Sequence, residues 1–170
     1  MERDTELIAI VKQIHDAGIR FVLIGGLALI AHGSDLITKD LDISPVPDLA
    51  NREALIVYLK TLHARPLGIP PSQNFQILPR HLEIGKLRFL NLKTDLGDID
   101  ILPLPAGIDS FEGLWERSVE LDMGGFKVRV ASLEDLAAMK RAAGRTKDKL
   151  HLLEIEALIR LRDEEGLSAT

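Results

Sequence analysis

The chain has 170 residues, 46% of them apolar, and a formal net charge of −5. This length suits one domain with an ordinary hydrophobic core, and the acidic balance excludes an overall basic nucleic-acid binder. The absence of cysteine excludes disulfides and thiolate metal sites. Because no apolar run is long enough to cross a bilayer and the polar N-terminus lacks the order of a signal peptide, we expect a cytoplasmic protein with no membrane partner.

The first third of the chain predicts helices and strands in alternation. Apolar residues at helical spacing from Leu7 to Ile14 predict an amphipathic helix, and Gly18 suits its C-terminus. The continuous apolar run from Phe21 predicts a buried strand, and Asp48 is a candidate helix cap. The predicted elements are a helix over 4–17, a strand over 21–24, a short helix over 27–31, a strand over 40–44 and a helix over 49–62.

The rest of the chain predicts further strands and a helical end. Residues 64–74 hold three prolines and a glycine and predict a loop. The other predicted elements are strands over 75–78, 87–92 and 98–102, a helical turn over 111–115, a hairpin over 119–122 and 126–130, and helices over 133–143 and 147–163. Ser132 with Asp135 resembles a capping box at the start of the helix over 133–143, with aspartate in place of the usual glutamate. We therefore expect an α/β (α+β) fold, a mixed sheet flanked by helices. The expected organisation is a core over 1–131 and a C-terminal helical segment over 132–170 of the same domain.

Two carboxylates alternate along the strand predicted over 40–44. Side chains of a strand alternate between its faces, so Asp40 and Asp42 point one way while Leu41 and Ile43 point into the core. Neighbouring carboxylates stay ionised at low cost when a cation lies between them, and oxygen ligands suit Mg²⁺. Taken alone, an Asp-x-Asp pattern also fits two solvent-facing residues at a strand end, which is the simpler interpretation.

The Gly25-Gly26 pair also has two interpretations. It fits a strand-to-helix turn that requires positive φ, and it fits a bend where the backbone can approach a phosphate. The spacing favours the second interpretation. One strand ends in the glycine pair, the next strand carries Asp40 and Asp42, and a short helix lies between them.

A third carboxylate is expected in the strand predicted over 98–102. Asp98 and Asp100 share one face of this strand, opposite two isoleucines. An aspartate in an apolar strand is costly without a partner. We prefer Asp100 as the site residue because it lies deeper in the strand, and Asp98 stays the alternative.

These motifs resemble a known family. The chain is similar to a minimal nucleotidyltransferase of the DNA polymerase β superfamily, and more closely to the Gly-Gly branch that includes AbiEii-type toxin nucleotidyltransferases. The similarity covers about residues 5–160. The residues that carry it are Gly25-Gly26, His32-Gly33, Thr38, Asp40-Leu41-Asp42, Gly97, Asp100 and the segment from Lys140 to Asp148.

The resemblance implies a reaction and a role for each motif. The enzyme would transfer a nucleoside monophosphate from a nucleoside triphosphate (NTP) to a hydroxyl group and release pyrophosphate. Asp40 and Asp42 would hold Mg²⁺, or Mn²⁺, on the triphosphate, and Asp100 would complete the metal site and help to activate the hydroxyl. The residues implied in nucleotide binding are Gly25, Gly26, Thr38, Lys140, Arg145 and Lys147.

The basic segment between Lys140 and Lys149 has a simpler explanation as well. Charges in such a run usually form a solvated helix face, and cations near a helix C-terminus are favourable. By the resemblance, Lys140 reaches the triphosphate, while Arg145 and Lys147 contact nucleotide or nucleic acid. His32 is expected to hydrogen-bond within its turn.

The resemblance also suggests partners and one departure. Candidate acceptors are tRNA or another RNA, a small molecule, or a protein, and an antitoxin protein or a second copy of the chain are candidate partners. Relatives often carry an arginine two residues before the threonine, where this chain has Leu36. A lost cationic contact here leaves an alternative, which is a catalytically weak or inactive nucleotide-binding or partner-binding protein of the same fold.

Overall fold

A computed structural model describes residues 2–70 and 72–168. These residues form helices on a mixed sheet, with one 3₁₀ turn at Pro79–Leu82. The helices are α1 Glu2–Asp16, α2 Gly25–Ala31, α3 Leu49–Thr61, α4 Phe111–Arg117, α5 Leu133–Ala143 and α6 Thr146–Ser168. The strands are β1 Phe21–Ile24, β2 Asp40–Pro45, β3 Arg65–Pro66, β4 Leu90–Thr94, β5 Gly97–Ile101, β6 Val119–Asp122 and β7 Lys127–Val130.

The strands join one sheet in the order β3-β4-β5-β2-β1-β7-β6. β2 runs parallel to β5 and β1 runs parallel to β7, while the other neighbouring pairs are antiparallel. The predicted mixed sheet flanked by helices, with a helical C-terminal part, is therefore confirmed. The division into a core over 1–131 and a segment over 132–170 stays a prediction.

The central strands bury one face in the core and leave the other face free for polar side chains. Leu41 and Ile43 of β2 and Ile99 and Ile101 of β5 are fully buried, as the alternation predicts. The helices cover the sheet through aliphatic residues, and Ile155 brings α6 into the same core. None of the helices in the described part of the chain is long and apolar enough to cross a membrane.

Capping side chains begin the helices where the sequence predicts them. Asp48 accepts a hydrogen bond from the Asn51 backbone N–H at 2.9 Å, and Ser132 accepts one from the Asp135 N–H at 3.1 Å. Both caps satisfy backbone donors that a helix N-terminus leaves unpaired. They fix the starts of α3 and α5, the second of which carries cations toward the site described below.

The structure corrects three predictions around β4. Residues 75–78 form no strand, because the sheet edge next to β4 is taken by β3, whose Arg65–Pro66 falls in the predicted 64–74 loop. Phe75 instead stacks on His81, with ring centroids 5.5 Å apart. The strand predicted over 87–92 begins at Leu90, after a turn, and runs on to Thr94, where a tight connection leads into β5.

The connection from β5 to α4 lies directly against α5 at Gly107. This glycine has φ +87°, and a Cβ atom there would lie 2.5 Å from the carbonyl oxygen of Ala138. A side chain is therefore disfavoured both by the backbone conformation and by space. The contact fixes Pro105 and Ala106, which precede it, against α5.

We expect Gly107→Ala to lower the free energy of unfolding by about 2–4 kcal/mol, from backbone strain and overpacking together. The matched control is Gly124→Ala, because Gly124 has φ +91° with no atom within 4 Å of the added Cβ. The control should lose only about 1 kcal/mol. Urea unfolding of both variants measures the difference, and equal losses would contradict the close contact.

Candidate active site

Strands β2 and β5 bring the predicted carboxylates to one cavity of about 450 Å³. In the parallel pair of β2 and β5, Asp42 lies opposite Asp100, and in the antiparallel pair of β1 and β2, Ile24 lies opposite Asp42. Asp40, Asp42 and Asp100 all line the cavity wall. Strand alternation and register, which are backbone properties, therefore gather these side chains.

The carboxylates perturb one another. Burial raises the pKa of Asp42 to about 7, and the neighbouring charges of Asp40 and Asp100 act in the same direction. Burial also raises the pKa of Asp100, against a hydrogen bond from Asn91 on β4, and the charge of Asp40 adds to the increase. Such mutual repulsion is what a bound cation would relieve.

The Gly25-Gly26 pair makes room for two polar side chains. Gly25 has φ +70°, and a Cβ atom there would lie 2.1 Å from Oδ2 of Asp42. A Cβ on Gly26 would lie 2.7 Å from Oγ1 of Thr38, which donates a hydrogen bond to Oδ1 of Asp40 at 3.1 Å. Gly25 thus leaves room for the Asp42 carboxylate, and Gly26 leaves room for Thr38, which positions Asp40. Contact between the glycine backbone and a phosphate stays a prediction.

Cations from α5 and α6 form another wall of the cavity. Lys140 lies on α5 with its side chain 13% exposed, and its Nζ is 3.4 Å from Oδ1 of Asp148. Lys147 and Arg145 line the same cavity. The charges of Lys140 and Lys147 oppose the rise in the pKa of Asp42, so the two walls act on each other electrostatically.

Asp148 holds this cationic wall together. Its side chain is 1% exposed and also accepts hydrogen bonds from the backbone N–H and the guanidinium Nε of Arg145, at 3.1 and 2.8 Å. Burial alone would raise the pKa of Asp148, but the hydrogen bonds from Arg145 and the charge of Lys140 lower it to about 2. Asp148 therefore both caps α6 and orients two cations.

The structure places the remaining predicted residues as follows. Asp98 lies outside the cavity lining, about half exposed, with Oδ1 3.5 Å from Nζ of Lys93. Leu36 lines the cavity at the position of the missing arginine. His32 lies at the end of α2, but its Nε2 is 2.8 Å from the carbonyl oxygen of Ala131, between β7 and α5, so the prediction that it hydrogen-bonds within its own turn is wrong.

Other residues in or beside the cavity were not predicted from the sequence. Asn91, which hydrogen-bonds to Asp100, lies opposite it in the β4–β5 pair, and the Leu-Asn-Leu alternation of β4 was the available signal. His151 lies on α6 one turn after Lys147, a spacing that could have linked the two. An apolar part of the wall comes from Leu102, Pro105, Ala106, Leu136, Met139 and Ala143.

The acidic wall fits a hard divalent cation by its chemistry. It offers carboxylate oxygens, and the charge of Asp40 adds to the cost of ionising Asp42 and Asp100. Across residues 2–70 and 72–168, no three acidic or histidine side chains are already gathered tightly enough to form a complete ligand set for one ion. Metal binding by Asp40, Asp42 and Asp100 therefore stays a prediction.

A comparison with known protein families identifies the class of protein to which this chain belongs. This chain is a nucleotidyltransferase. It belongs to the family described as "Nucleotidyl transferase AbiEii toxin, Type IV TA system", whose profile matches residues 10–151. The family resemblance found in the sequence is thereby confirmed. No curated protein matches the chain significantly in sequence.

Solved structures share the fold at low sequence identity. The lincomycin-bound lincosamide antibiotic adenylyltransferase LnuA is 16% identical with a TM-score of 0.64, over 91% of this chain and 96% of LnuA. The antibiotic-resistance factor ANT(2'')-Ia is 14% identical with a TM-score of 0.54, over 98% of this chain and 96% of its own. A Thermotoga maritima protein provisionally described as a nucleotidyltransferase is 17% identical with a TM-score of 0.50, over 95% of this chain and 94% of its own.

We expect Asp42→Asn to stabilise the folded protein at high pH. The pKa of Asp42 rises from 3.8 to about 7 on folding, so its ionisation costs stability as the pH rises through that interval. At pH 8 the free energy of unfolding of the variant should therefore be higher than that of the native protein by on the order of 1–3 kcal/mol, because cavity water screens part of the effect. Near pH 4 the two proteins should be nearly equal.

Urea unfolding from pH 4 to pH 8 without divalent cations measures this effect. The control is Asp98→Asn, which removes the exposed carboxylate of the neighbouring strand and should differ from native protein by less than about 0.5 kcal/mol throughout. A stability difference for Asp42→Asn that does not grow with pH would show that folding does not raise the pKa of Asp42.

Removing the carboxylate of Asp148 should destabilise α6. In Asp148→Asn, a neutral amide replaces the anion that pairs with Lys140 and Arg145, and we expect a loss of about 2–3 kcal/mol. Asp163→Asn is the control on the same helix, because Asp163 is an exposed partner of Arg162 and should contribute less than about 0.5 kcal/mol. Thermal unfolding followed by circular dichroism compares the two variants. Similar small losses of stability would show that the contacts of Asp148 with Lys140 and Arg145 do not stabilise α6.

Proposed function

We propose that this protein transfers a nucleoside monophosphate from an NTP to an acceptor hydroxyl and releases pyrophosphate, with Mg²⁺ or Mn²⁺ bound at Asp40, Asp42 and Asp100. The observation that carries this proposal is that three carboxylates of the sheet and the cations Lys140, Arg145 and Lys147 line one cavity. A triphosphate needs positive charge on more than one side, which the basic side chains would supply directly and the carboxylates would supply through a bound divalent cation. The cavity volume lies within the usual range for a small-molecule site.

The carboxylates would hold the divalent cation, and Thr38 and Gly25 would hold the carboxylates. Thr38 fixes Asp40 by a hydrogen bond, and Gly25 leaves the space that Asp42 occupies. A bound divalent cation supplies charge neutralisation at the phosphates and a fixed orientation for them. The hydrogen bond and the close glycine contact keep the ligands positioned, which limits the reorganisation that binding would require.

In the proposed transfer, the oxygen of the acceptor hydroxyl attacks the α-phosphorus. The bond between that phosphorus and the oxygen bridging to the β-phosphate breaks, and pyrophosphate leaves with the electron pair. Asp100 would accept the hydroxyl proton, and its raised pKa suits this role. Lys140, oriented by Asp148, would stabilise the charge on the phosphates, with Arg145 and Lys147 nearby.

The acceptor and partners are proposed as classes. The neighbour LnuA, with lincomycin bound, favours a small-molecule acceptor, while tRNA or another RNA or a protein hydroxyl are the other candidates. The family description names a toxin of a type IV toxin–antitoxin system, and we extend this to an antitoxin counterpart for this chain. A second copy of the chain is a further candidate for completing the acceptor surface.

Nucleotide transfer is tested with purified protein, Mg²⁺, each α-labelled NTP, and RNA, lysate protein or lincosamide as acceptor. We expect Asp40→Asn, Asp42→Asn and Asp100→Asn each to lower labelling on the order of 10²-fold or more, because each removes a ligand of the divalent cation that would stabilise the transition state. Asp98→Asn, the carboxylate outside the cavity, should stay within about twofold of native protein.

Equal labelling by native protein and the three cavity variants would refute the proposed reaction. Tight binding of an NTP without transfer to any acceptor would instead favour the alternative of a nucleotide-binding protein without turnover. That alternative draws its support from Leu36, an apolar residue on a wall where relatives often have a cation.

A further inference from the structure

His151 is a cavity residue that the proposed reaction does not yet use. It lies on α6 and lines the cavity together with Lys140 and Lys147. Within the described part of the chain, its Nδ1 is the buried side-chain nitrogen or oxygen that lacks a hydrogen-bond partner. Buried polar atoms are nearly always paired, so an unpaired Nδ1 is unusual. No hydrogen bond at Nδ1 fixes the orientation of the ring, and the packing around it must do so.

The orientation of the ring leaves its other nitrogen for the cavity. Since Nδ1 is shielded from solvent while His151 lines the cavity, the opposite edge, which carries Nε2, is the one that can face the cavity. An unpaired buried N–H is rarer than an unpaired acceptor. The proton of the neutral ring therefore belongs on Nε2, which makes His151 a hydrogen-bond donor toward the cavity.

The groups around His151 keep the ring uncharged. Burial lowers the pKa of His151, and the charges of Lys140 and Lys147 act in the same direction, against the opposing charges of Asp148 and Glu154. All of these groups belong to α5 and α6. His151 is thus part of the cationic wall of the cavity, across from the carboxylates of the sheet, and it adds a donor there without adding a further positive charge.

We infer that His151 donates a hydrogen bond from Nε2 to the terminal phosphates of the bound NTP, beside Lys140 and Lys147. This inference rests on the proposed function, because it needs a triphosphate in the cavity. The reacting α-phosphate belongs near the carboxylates, so the β- and γ-phosphates lie toward the cationic wall that holds His151. An acceptor hydroxyl is a poorer partner, because its activation requires a proton acceptor and the Nε2–H group is a donor.

The test measures binding without turnover. Calorimetry with Mg²⁺ and the non-hydrolysable α,β-methylene analogues of ATP, CTP, GTP and UTP identifies the nucleoside bound most tightly, and its monophosphate serves as the second ligand. We expect His151→Ala to weaken binding of the triphosphate analogue about tenfold and to leave monophosphate binding within about twofold. Truncation at a merely structural position would weaken both ligands alike.

Two amide variants separate the ring edges. His151→Gln carries its amide nitrogen near the position of Nε2 and should restore triphosphate binding to within about threefold of native protein. His151→Asn carries its amide near the position of Nδ1 and should bind as weakly as His151→Ala. Melting temperatures of all three variants report whether each one folds.

Several results would overturn the inference. They are equal loss of triphosphate and monophosphate binding, unchanged triphosphate binding in folded His151→Ala, and rescue by Asn rather than Gln. A native protein that binds none of the four analogues would overturn the inference together with the proposed function. A native protein that binds an analogue with the expected variant pattern, yet transfers no label from the NTP, would leave the role of His151 standing and remove only the reaction.

Discussion

Burial of neighbouring carboxylates on one face of the sheet is the constraint on which the site depends. The register of β2 against β5 sets Asp42 opposite Asp100, and strand alternation keeps Asp40 on the same face as Asp42. This arrangement is costly in the protein alone, as the raised pKa values of Asp42 and Asp100 indicate. Functional sites often contain groups that are unfavourable for folding and favourable for binding a ligand. Asp40, Asp42 and Asp100 form such a group.

The surrounding structure holds the carboxylates in place in spite of that cost. Gly25 and Gly26 leave space for Asp42 and Thr38, and Asp148 keeps Lys140 at the opposite wall of the cavity. Both devices join elements that follow one another in the chain. The glycine pair connects α2 to β2, and the Asp148 ion pairs connect α6 to α5, while the packing of the whole fold brings these two distant parts of the chain to one cavity.

The sequence predicted those parts of the fold that follow from local patterns. Alternation in β2 and β5 predicted which residues share a face, and Asp48 and Ser132 marked the starts of α3 and α5. Residues 75–78 had a strand-like pattern, but β3 occupies the place beside β4, which local patterns do not reveal. His151 was missed for a similar reason, because a single histidine acquires meaning only when α6 packs onto the core through Ile155 and turns that face toward the cavity.

Crystals grown with Mn²⁺ and a non-hydrolysable NTP analogue test the central claim most directly, because anomalous scattering locates Mn²⁺ independently of the protein atoms. Our account predicts an anomalous peak within ligand distance, about 2.0–2.3 Å, of carboxylate oxygens from Asp40, Asp42 and Asp100, with the triphosphate extending from it toward Lys140. A peak at Asp98 or on the outer surface, or a triphosphate bound with no cation at these three carboxylates, would contradict it.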